Sequence, residues 1–380
     1  MTTRRIRALL STVLGTGLVL GMAACGPGGT ENGAPVTEGG LPETMVWTTY
    51  PVGTTTYNDL AAVAEMVTSD MGKQVRITPS DTAIGRMTPL LEGQAHFSRT
   101  GDEYIFSFEA DHDFAQESQG PHPTRVVYPV EARQGFTVLE NSGIESYDDL
   151  RGKRFPNVTA NPSINQKIEA LLAYAGLERD DVEFVDVSYG DQPGALENGQ
   201  VDVIFFGLYG SPLFELEQSR GVRVLSMDDE SPEALDRLRS VSKVLNIGDF
   251  QNGPGMEEGE TIRTLMYPLP VVALESTSPE AVEELVTGFA ENFESYKDST
   301  PTTPDWALEE IPKVPTVVPY HDGLISYLES QGEWSEEAQQ ANDELLERET
   351  QLDELWDTYL EQADEVNHET WNSYKESELS

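Results

Sequence analysis

Cysteine is almost absent from this chain, since Cys25 is the only one among 380 residues. A lone cysteine excludes a disulfide framework and zinc–thiolate sites. Three arginines occur within the first seven residues, and a nearly uncharged apolar stretch then runs over residues 8–24. A basic start, an apolar stretch, small residues and a cysteine form the layout of a lipoprotein export signal. We therefore predict a signal peptide over residues 1–24 and lipidation of Cys25, which would also rule out thiol catalysis.

Two alternatives for the apolar stretch stay open. A retained transmembrane helix is one, although such a helix needs about 20 apolar residues and this stretch is shorter. A conventional cleaved signal that happens to contain a cysteine is the other. The pair Arg4-Arg5 is also compatible with twin-arginine export. Residues 26–44 are mainly Gly, Pro, Thr and Glu, so residues 25–44 are predicted to form a flexible linker.

Long apolar runs are lacking after residue 24, so no further segment is predicted to span a bilayer. Basic residues are also scarce: 24 Lys plus Arg stand against 67 Asp plus Glu, a net charge of −43. This excess excludes nucleic acid as a partner, because phosphates would be repelled. The acids are spread along the chain and only seven residues are lysine. That pattern indicates a halophilic host, where salt screens self-repulsion, with an ordinary acidic secreted protein as the alternative.

Catalytic motifs are missing as well. The chain contains no G-x-S-x-G elbow, phosphate-binding P-loop or dinucleotide motif. Its five histidines show no metal-ligand spacing, and the tripeptide Asp111-His112-Asp113 is expected by chance in so acidic a chain. We therefore expect a protein that is not an enzyme and that uses no cofactor and no metal.

What is present is an alternation of β-branched runs and helical stretches, which predicts parallel sheets covered by helices. About 335 residues follow the linker, enough for two lobes. We predict an α/β clamshell with crossing strands, in which residues 45–132 and 262–380 form lobe I and residues 133–261 form lobe II. Residues 266–275 read as one strand run. A helix from residue 334 to about 361 is expected to pack on its own lobe, with a dimer contact as the alternative.

Six segments in order resemble the TAXI family, the extracytoplasmic solute receptors of TRAP transporters. The most recognisable is NSGIESYDDLRGKRF, which is similar to the family's dSGI-slaDLKGKR pattern. Arg99 differs from the small residue that is more usual at its position, and residues 157–165 lack the Gly-Ser-Gly of many members. The six segments span residues 47–65, 79–101, 120–126, 141–155, 195–206 and 318–334.

This resemblance implies a type II periplasmic-binding-protein fold on the outer face of the cytoplasmic membrane. It also implies capture of a small organic acid, such as a dicarboxylate, a 2-oxo acid or a glutamate-like solute, for delivery to TRAP membrane permease subunits. The lipid on Cys25 would hold the protein at the membrane. A receptor for an ABC transporter, or an extracellular enzyme or sensor domain on the same fold, is the alternative.

A carboxylate needs backbone N–H groups, hydroxyls and a cation, and helix N-termini provide the first. The loops at residues 53–57, 80–81 and 161–163 each open a predicted helix. Arg86 or Arg99, but not both, is the expected cation, with Arg125 and Arg133 as further candidates. Aromatic walls are expected from Tyr50, Tyr57, Tyr104 and Phe206. The predicted ligand-binding set is Thr49, Tyr50, Gly53, Thr54, Thr55, Tyr57, Ser80, Asp81, Arg86, Arg99, Thr100, Asn161, Ser163, Asn165 and Phe206.

Overall fold

A computed structural model describes residues 36–379, so the predicted signal peptide, Cys25 and most of the predicted linker lie outside the described residues. The strands are β1 (Thr44–Thr49), β2 (Gln74–Pro79), β3 (Phe97–Arg99), β4 (Thr124–Tyr128), β5 (Glu131–Leu139), β6 (Arg154–Val158), β7 (Glu183–Val187), β8 (Ile204–Gly207), β9 (Val222–Val224), β10 (Asn246–Gln251), β11 (Thr261–Pro268) and β12 (Val271–Leu274). The helices are α1 (Thr55–Ser69), α2 (Ala83–Leu91), α3 (Glu103–Glu109), α4 (Pro162–Tyr174), α5 (Gln192–Glu197), α6 (Ser211–Arg220), α7 (Pro232–Val241), α8 (Pro279–Glu291), α9 (Phe293–Tyr296), α10 (Asp322–Gln331), α11 (Glu336–Gln362) and α12 (His368–Leu379).

The first lobe is built on a five-stranded sheet of order β2-β1-β3-β12-β4. Strands β1, β2 and β3 are parallel, whereas β12 pairs antiparallel with both β3 and β4. Helix α1 covers this sheet because Leu60, Val63, Ala64 and Val67 recur at helical spacing and are all buried. The parallel strands therefore end at one edge, where the loops into α1 and α2 begin.

The second lobe contains β10, β11, β5 and β8 in that order, with β9 also pairing with β5, and a separate parallel pair of β6 and β7. Its own buried core includes Phe136, Phe155, Ile168 and Phe205. The core of the first lobe is a different cluster that includes Trp47. Separate sheets and separate cores thus divide the described residues into two lobes.

Two chain crossings connect the lobes. The first runs from β4 to β5 through Pro129 and Val130, and the second from β11 to β12 through Leu269 and Pro270. They touch each other, because the Leu269 N–H donates to the Val130 carbonyl over 2.8 Å. The run predicted over residues 266–275 is thus two strands in two different sheets. The predicted boundary at residue 262 also requires correction, since β11 pairs with β5 and β10 of the second lobe.

The C-terminal helices α11 and α12 pack on the first lobe. Leu352, Trp356 and Tyr359 of α11 belong to its core, as does Trp371 of α12. Arg348 of α11 forms a two-pronged ion pair with Glu109 at the end of α3. The expected packing of this helix on its own lobe is therefore observed, and the fold is a two-lobed α/β clamshell with a helical C-terminus.

Candidate functional site

The first loop of the site follows β1. Thr54 caps α1, since its hydroxyl accepts from the Tyr57 N–H over 3.2 Å and donates to the Pro51 carbonyl over 2.7 Å. Gly53 has φ +86°, a value that favours glycine. Thr49 and Tyr50, at the end of the strand, are buried. Capping thus occupies Thr54, whereas Tyr50 faces the second lobe.

The second loop leads into α2 and positions Arg86. This helix is capped by Thr82, which accepts from the Gly85 N–H over 3.2 Å, so Ser80 and Asp81 lie in the loop just before the cap. The Arg86 guanidinium donates to the carbonyls of Ser80 and Asp81 over 3.0 and 3.1 Å. These backbone bonds hold the guanidinium against the loop, while its second terminal nitrogen pairs with Glu103 and lies 3.5 Å from Asn161 Oδ1 of the neighbouring lobe.

The third loop belongs to the second lobe and opens α4. Asn161 is its N-cap, accepting from the Ile164 N–H over 3.4 Å, and Pro162 is the first helical residue. Residues 161–163 thus open a helix, as their sequence predicts. Two residues later, the Ser163 hydroxyl accepts from the Asp102 N–H of the first lobe over 3.0 Å. Helix α4 therefore meets the first lobe with its N-terminal turn.

Four charged side chains lie buried where these loops meet, and we call them the ionic centre: Arg86, Asp102, Glu103 and Lys167. None is more than 1% exposed. Arg86 pairs with Glu103 within the first lobe. Lys167 of α4 pairs with Asp102 across the lobes over 2.6 Å and also reaches the Ser163 hydroxyl over 3.1 Å. Two cations and two carboxylates balance, which is what burial of charge requires.

The two carboxyl groups of the ionic centre differ in their proton affinity. Burial raises the pKa of Asp102, and Lys167 offsets only part of that effect. Burial also acts to raise the pKa of Glu103, but the Arg86 guanidinium outweighs it and the net pKa is lowered. Arg86 therefore stabilises Glu103 as a carboxylate, whereas Asp102 takes up a proton more readily than an ordinary aspartate does.

Aromatic rings enclose the ionic centre. The Arg86 guanidinium lies 3.8 Å from the centre of the Tyr50 ring, and the Lys167 ammonium lies 4.4 Å from that of Tyr267. Tyr189 stands 5.3 Å from Tyr50 and stacks on Phe206 at 5.1 Å. Tyr50 and Phe206, two of the residues expected to form walls, thus lie at the lobe interface together with two tyrosines from the second lobe.

Polar atoms without a hydrogen-bond partner occur at this interface. Among residues 36–379, the buried atoms with none include Thr49 Oγ1, Arg86 Nε and Asp102 Oδ1. A buried polar atom left unsatisfied costs about 1–3 kcal/mol. Thr49 and Arg86 belong to the predicted ligand-binding set, and Asp102 belongs to the ionic centre. Their unpaired atoms are therefore candidate donors and acceptors for a ligand.

The lobes also touch directly through their backbones around the ionic centre. The Ala83 N–H donates to the Ala160 carbonyl, and the Ser211 N–H donates to the Gly53 carbonyl, each over 3.0 Å. Gly101 allows the close approach, because a Cβ there would lie 2.5 Å from Ser163 Oγ.

Side chains of the first lobe complete these contacts. Asp81 accepts from the Gly190 N–H and Thr55 accepts from the Tyr209 N–H, both over 3.1 Å. Entry to the ionic centre therefore requires these pairs to part.

Several predicted residues have other roles. Arg99 pairs with Asp59 inside the first lobe and donates to the Leu269 carbonyl at the second crossing over 3.4 Å. The Asn165 side-chain oxygen accepts from the Val158 N–H over 2.7 Å, and its side-chain nitrogen donates to the Val158 carbonyl over 2.9 Å. Tyr57 is half-buried in the first turn of α1, and Thr100 donates to Glu103 over 2.8 Å.

The remaining cation candidates lie away from the ionic centre. Arg125 pairs with Glu349 of α11 over 2.7 Å, and Arg133 joins the lobes by pairing with Asp305 over 2.9 Å. Tyr104 is buried beside Glu103. Of the candidates, Arg86 alone is part of the ionic centre.

Sequence reasoning missed Asp102, Glu103, Lys167, Tyr189 and Tyr267. A signal existed for Lys167, since it is one of only seven lysines and follows Ser163 by one helical turn. Within residues 36–379, no three His, Cys, Asp or Glu side chains are placed to hold a metal. In the same range, no helix combines the length and the apolarity that a bilayer crossing requires.

Residues 48–332 match the NMT1-like family, and no curated protein matches the chain. Three solved structures are similar at low identity. The periplasmic aliphatic sulphonate binding protein SsuA from Escherichia coli is 16% identical, with TM-score 0.41 over 79% of this chain and 92% of that one. A putative L-cystine ABC transporter from Listeria monocytogenes is 12% identical, with TM-score 0.39 over 72% and 99%. The ligand-binding component of an ABC-type import system from Staphylococcus aureus is 9% identical, with TM-score 0.44 over 79% and 99%.

Proposed function

The chain belongs to the NMT1-like family, and we propose from this premise that it is an extracytoplasmic solute receptor of a membrane transporter. The solute would be a small organic acid held between the lobes. One observation carries the proposal: Arg86 of the first lobe and Lys167 of the second are both buried at the same interface. Two cations from two lobes are suited to bridging by one anion.

The chemistry of the ionic centre favours an anionic solute. A guanidinium binds a carboxylate through two parallel hydrogen bonds, and an ammonium adds a compact positive charge. The N-terminal turn of α4, with Asn161 and Ser163, adds N–H groups and a favourable dipole. In a chain of net charge −43, an ionic centre with as many cations as carboxylates repels an anion less than the rest of the protein does.

Solute entry would proceed by hinge opening at the two crossings. The lobes meet largely through single hydrogen bonds such as Ala83 to Ala160, which can break without disturbing either core. On opening, Asp102 separates from Lys167, and the ammonium becomes available to a solute carboxylate. Closure would then rebuild the interface with the solute inside.

We assign the transporter to the TRAP type, with this chain as its TAXI-family receptor delivering to permease subunits. The six ordered segments support this assignment. An ABC transporter receptor is the second candidate. The two differ in their membrane partner, so a neighbouring gene for a large permease supports the first, whereas a neighbouring ATPase gene supports the second.

Membrane attachment is a separate part of the proposal and rests on Cys25. A lipid there, with the linker, would hold the receptor at the outer face of the cytoplasmic membrane. We expect Cys25→Ser to move the protein from the membrane to the soluble extracellular fraction with unchanged solute affinity. Loss of solute binding in that variant would contradict the separation of anchor and site.

The binding proposal is tested by calorimetry with dicarboxylates, 2-oxo acids and acidic amino acids at low and high salt. Lys167→Gln should weaken binding of the solute found at least tenfold, about 1.4 kcal/mol. Lys153→Gln is the matched control, because Lys153 also lies in the second lobe and outside the ionic centre. Circular dichroism checks that both variants fold. Binding of no panel member at any salt concentration would rule the proposal out, and equal affinity of the two variants would move the site elsewhere.

A further inference from the structure

A cavity separate from the ionic centre lies at the two crossings, and we call it the hinge cavity. Its volume is about 450 Å³. One wall belongs to the first lobe and includes Val126, Val318 and Tyr320, and the floor is formed by the crossing segments at Pro129 and Pro270. None of these side chains carries a charge. The hinge cavity is therefore an apolar space that borders the moving part of the molecule.

The opposite wall belongs to the second lobe. It is formed by the end of α7 and the segment that leads into β10, through Arg239, Lys243, Val244 and Leu245. Leu245 belongs to the core of the second lobe, so this wall moves with that lobe. A molecule in the hinge cavity would contact both lobes and both crossings at once.

The charged groups of the hinge cavity favour an anion. Arg239 donates only to neutral groups, the Leu245 carbonyl over 3.4 Å and the Asn246 side-chain oxygen over 3.0 Å. Lys243 is exposed, and within residues 36–379 neither cation has a carboxylate within 4.0 Å. Glu131 is the one acidic residue of the lining. Two cations against one acid is unusual in a chain with 67 acidic and 24 basic residues.

We propose that the hinge cavity binds a small apolar molecule with one carboxylate or sulfonate group, distinct from the solute held at the ionic centre. The apolar part would lie between Val126 and Val244, and the acid would face Lys243 and Arg239. Apolar walls with a few convergent polar groups are the usual composition of a small-molecule site, and the volume lies within the usual range.

Binding there would be coupled to lobe movement. Because the walls belong to different lobes, the shape of the hinge cavity depends on the hinge angle. A ligand that fits one angle better than another shifts the population toward that angle. By reciprocity, closure on a solute would change the affinity of the hinge cavity by the same factor.

The test uses octanoate as the probe and 1-octanol as the neutral probe of the same chain length, each titrated into the full chain by calorimetry. Octanoate should bind with a Kd of about 1 mM or tighter. Lys243→Glu should weaken octanoate about fivefold and leave 1-octanol unchanged, since a surface charge contributes up to about 1 kcal/mol. Val244→Trp, which fills the cavity, should abolish binding of both.

Arg220→Glu is the matched control, because Arg220 is an exposed cation of the second lobe that does not line the hinge cavity. It should leave both titrations unchanged. The proposal is overturned if octanoate fails to bind, if Lys243→Glu and Arg220→Glu behave alike, or if Val244→Trp binds octanoate as the native chain does. None of these outcomes depends on the ionic centre, so failure here leaves the proposed receptor function standing.

Discussion

At the scale of single residues, His321 shows how burial makes this protein sensitive to acid. It is 1% exposed and caps α10, with Nδ1 accepting from the Gly323 N–H over 3.1 Å. Burial lowers its pKa to about 4, with Arg125 adding to the effect and Asp322 opposing it. The folded protein thus binds fewer protons here than the unfolded chain between pH 4 and about 6.5. Stability is present above that window and falls as the pH is lowered through it.

His321→Asn tests this effect, because asparagine keeps the capping acceptor and cannot titrate. Between pH 7 and pH 5 the native chain should lose about 2 kcal/mol more unfolding free energy than the variant. Urea unfolding of both proteins at the two pH values gives the comparison, and all other titrating groups cancel in it. An equal loss in the two proteins would show that His321 does not carry the acid sensitivity.

At this scale it was possible to predict which side chains lie near the loops of the candidate site, but not which side chains they contact. Arg86 and Asn161 followed from their places beside helix starts. Lys167 did not, because within α4 it reads as a solvated lysine on a helix. Its partner Asp102 lies 65 residues away in sequence, and only the approach of the lobes makes the pair.

At the scale of elements, Trp371 is the most deeply buried contact between α12 and the first lobe. Trp371 is fully buried, meets Trp356 edge-on at 4.9 Å and donates from its ring nitrogen to the Glu109 carbonyl over 2.8 Å. Lys375 of the same helix pairs with Asp111 over 2.6 Å. The rest of the helix is mostly exposed or half-buried, and its further contacts include the stacking of His368 on His112 at 4.0 Å.

Trp371→Ala should therefore cost about 3–5 kcal/mol of stability and detach α12. Thermal unfolding measures the cost, and hydrogen exchange measures the exposure of α12 backbone amides. Ser373→Ala is the control, since Ser373 is exposed on the same helix and should change neither. A stable Trp371→Ala protein with α12 still protected would mean that the salt bridges suffice.

Helices and strands whose buried residues repeat regularly were predictable, whereas those that are defined only by contacts with distant residues were not. Helix α11 begins and ends within two residues of its predicted bounds, because Leu352, Trp356 and Tyr359 recur at helical spacing on its buried face. Helix α12 was missed, since only Trp371 and Lys375 are buried along it. The split between β11 and β12 was missed because both are apolar, and only pairing with different sheets separates them.

At the scale of the whole molecule, the net charge of −43 should make stability depend on salt. Self-repulsion destabilises the compact state, and raising the ionic strength from about 0.1 M to about 1 M shortens the Debye length from about 10 Å to about 3 Å. We expect the melting temperature to rise by several degrees over that range in sodium chloride. Sucrose at equal osmolality is the control and should raise it less. A constant or falling melting temperature would contradict a dominant role for self-repulsion.

The two-lobed form could be predicted from the alternation of strands and helices, but the sheet order could not. Strand β12 enters the first sheet between β3 and β4 through the pairs Val271 with Arg99 and Leu274 with Thr124. These partners are far apart in sequence. No local sequence pattern encodes such strand pairing. The contacts between the lobes depend on this pairing, so they could not be predicted either.

The backbone contacts between the lobes make part of lobe closure independent of the side chains that would determine solute specificity. Ala83 with Ala160 and Ser211 with Gly53 are joined through main-chain atoms, which most substitutions leave intact. Under the proposed function, the groups that would distinguish one solute from another are side chains of the ionic centre. Exchanging those side chains to re-engineer specificity would alter the Lys167–Asp102 contact between the lobes but would leave the main-chain contacts of closure in place.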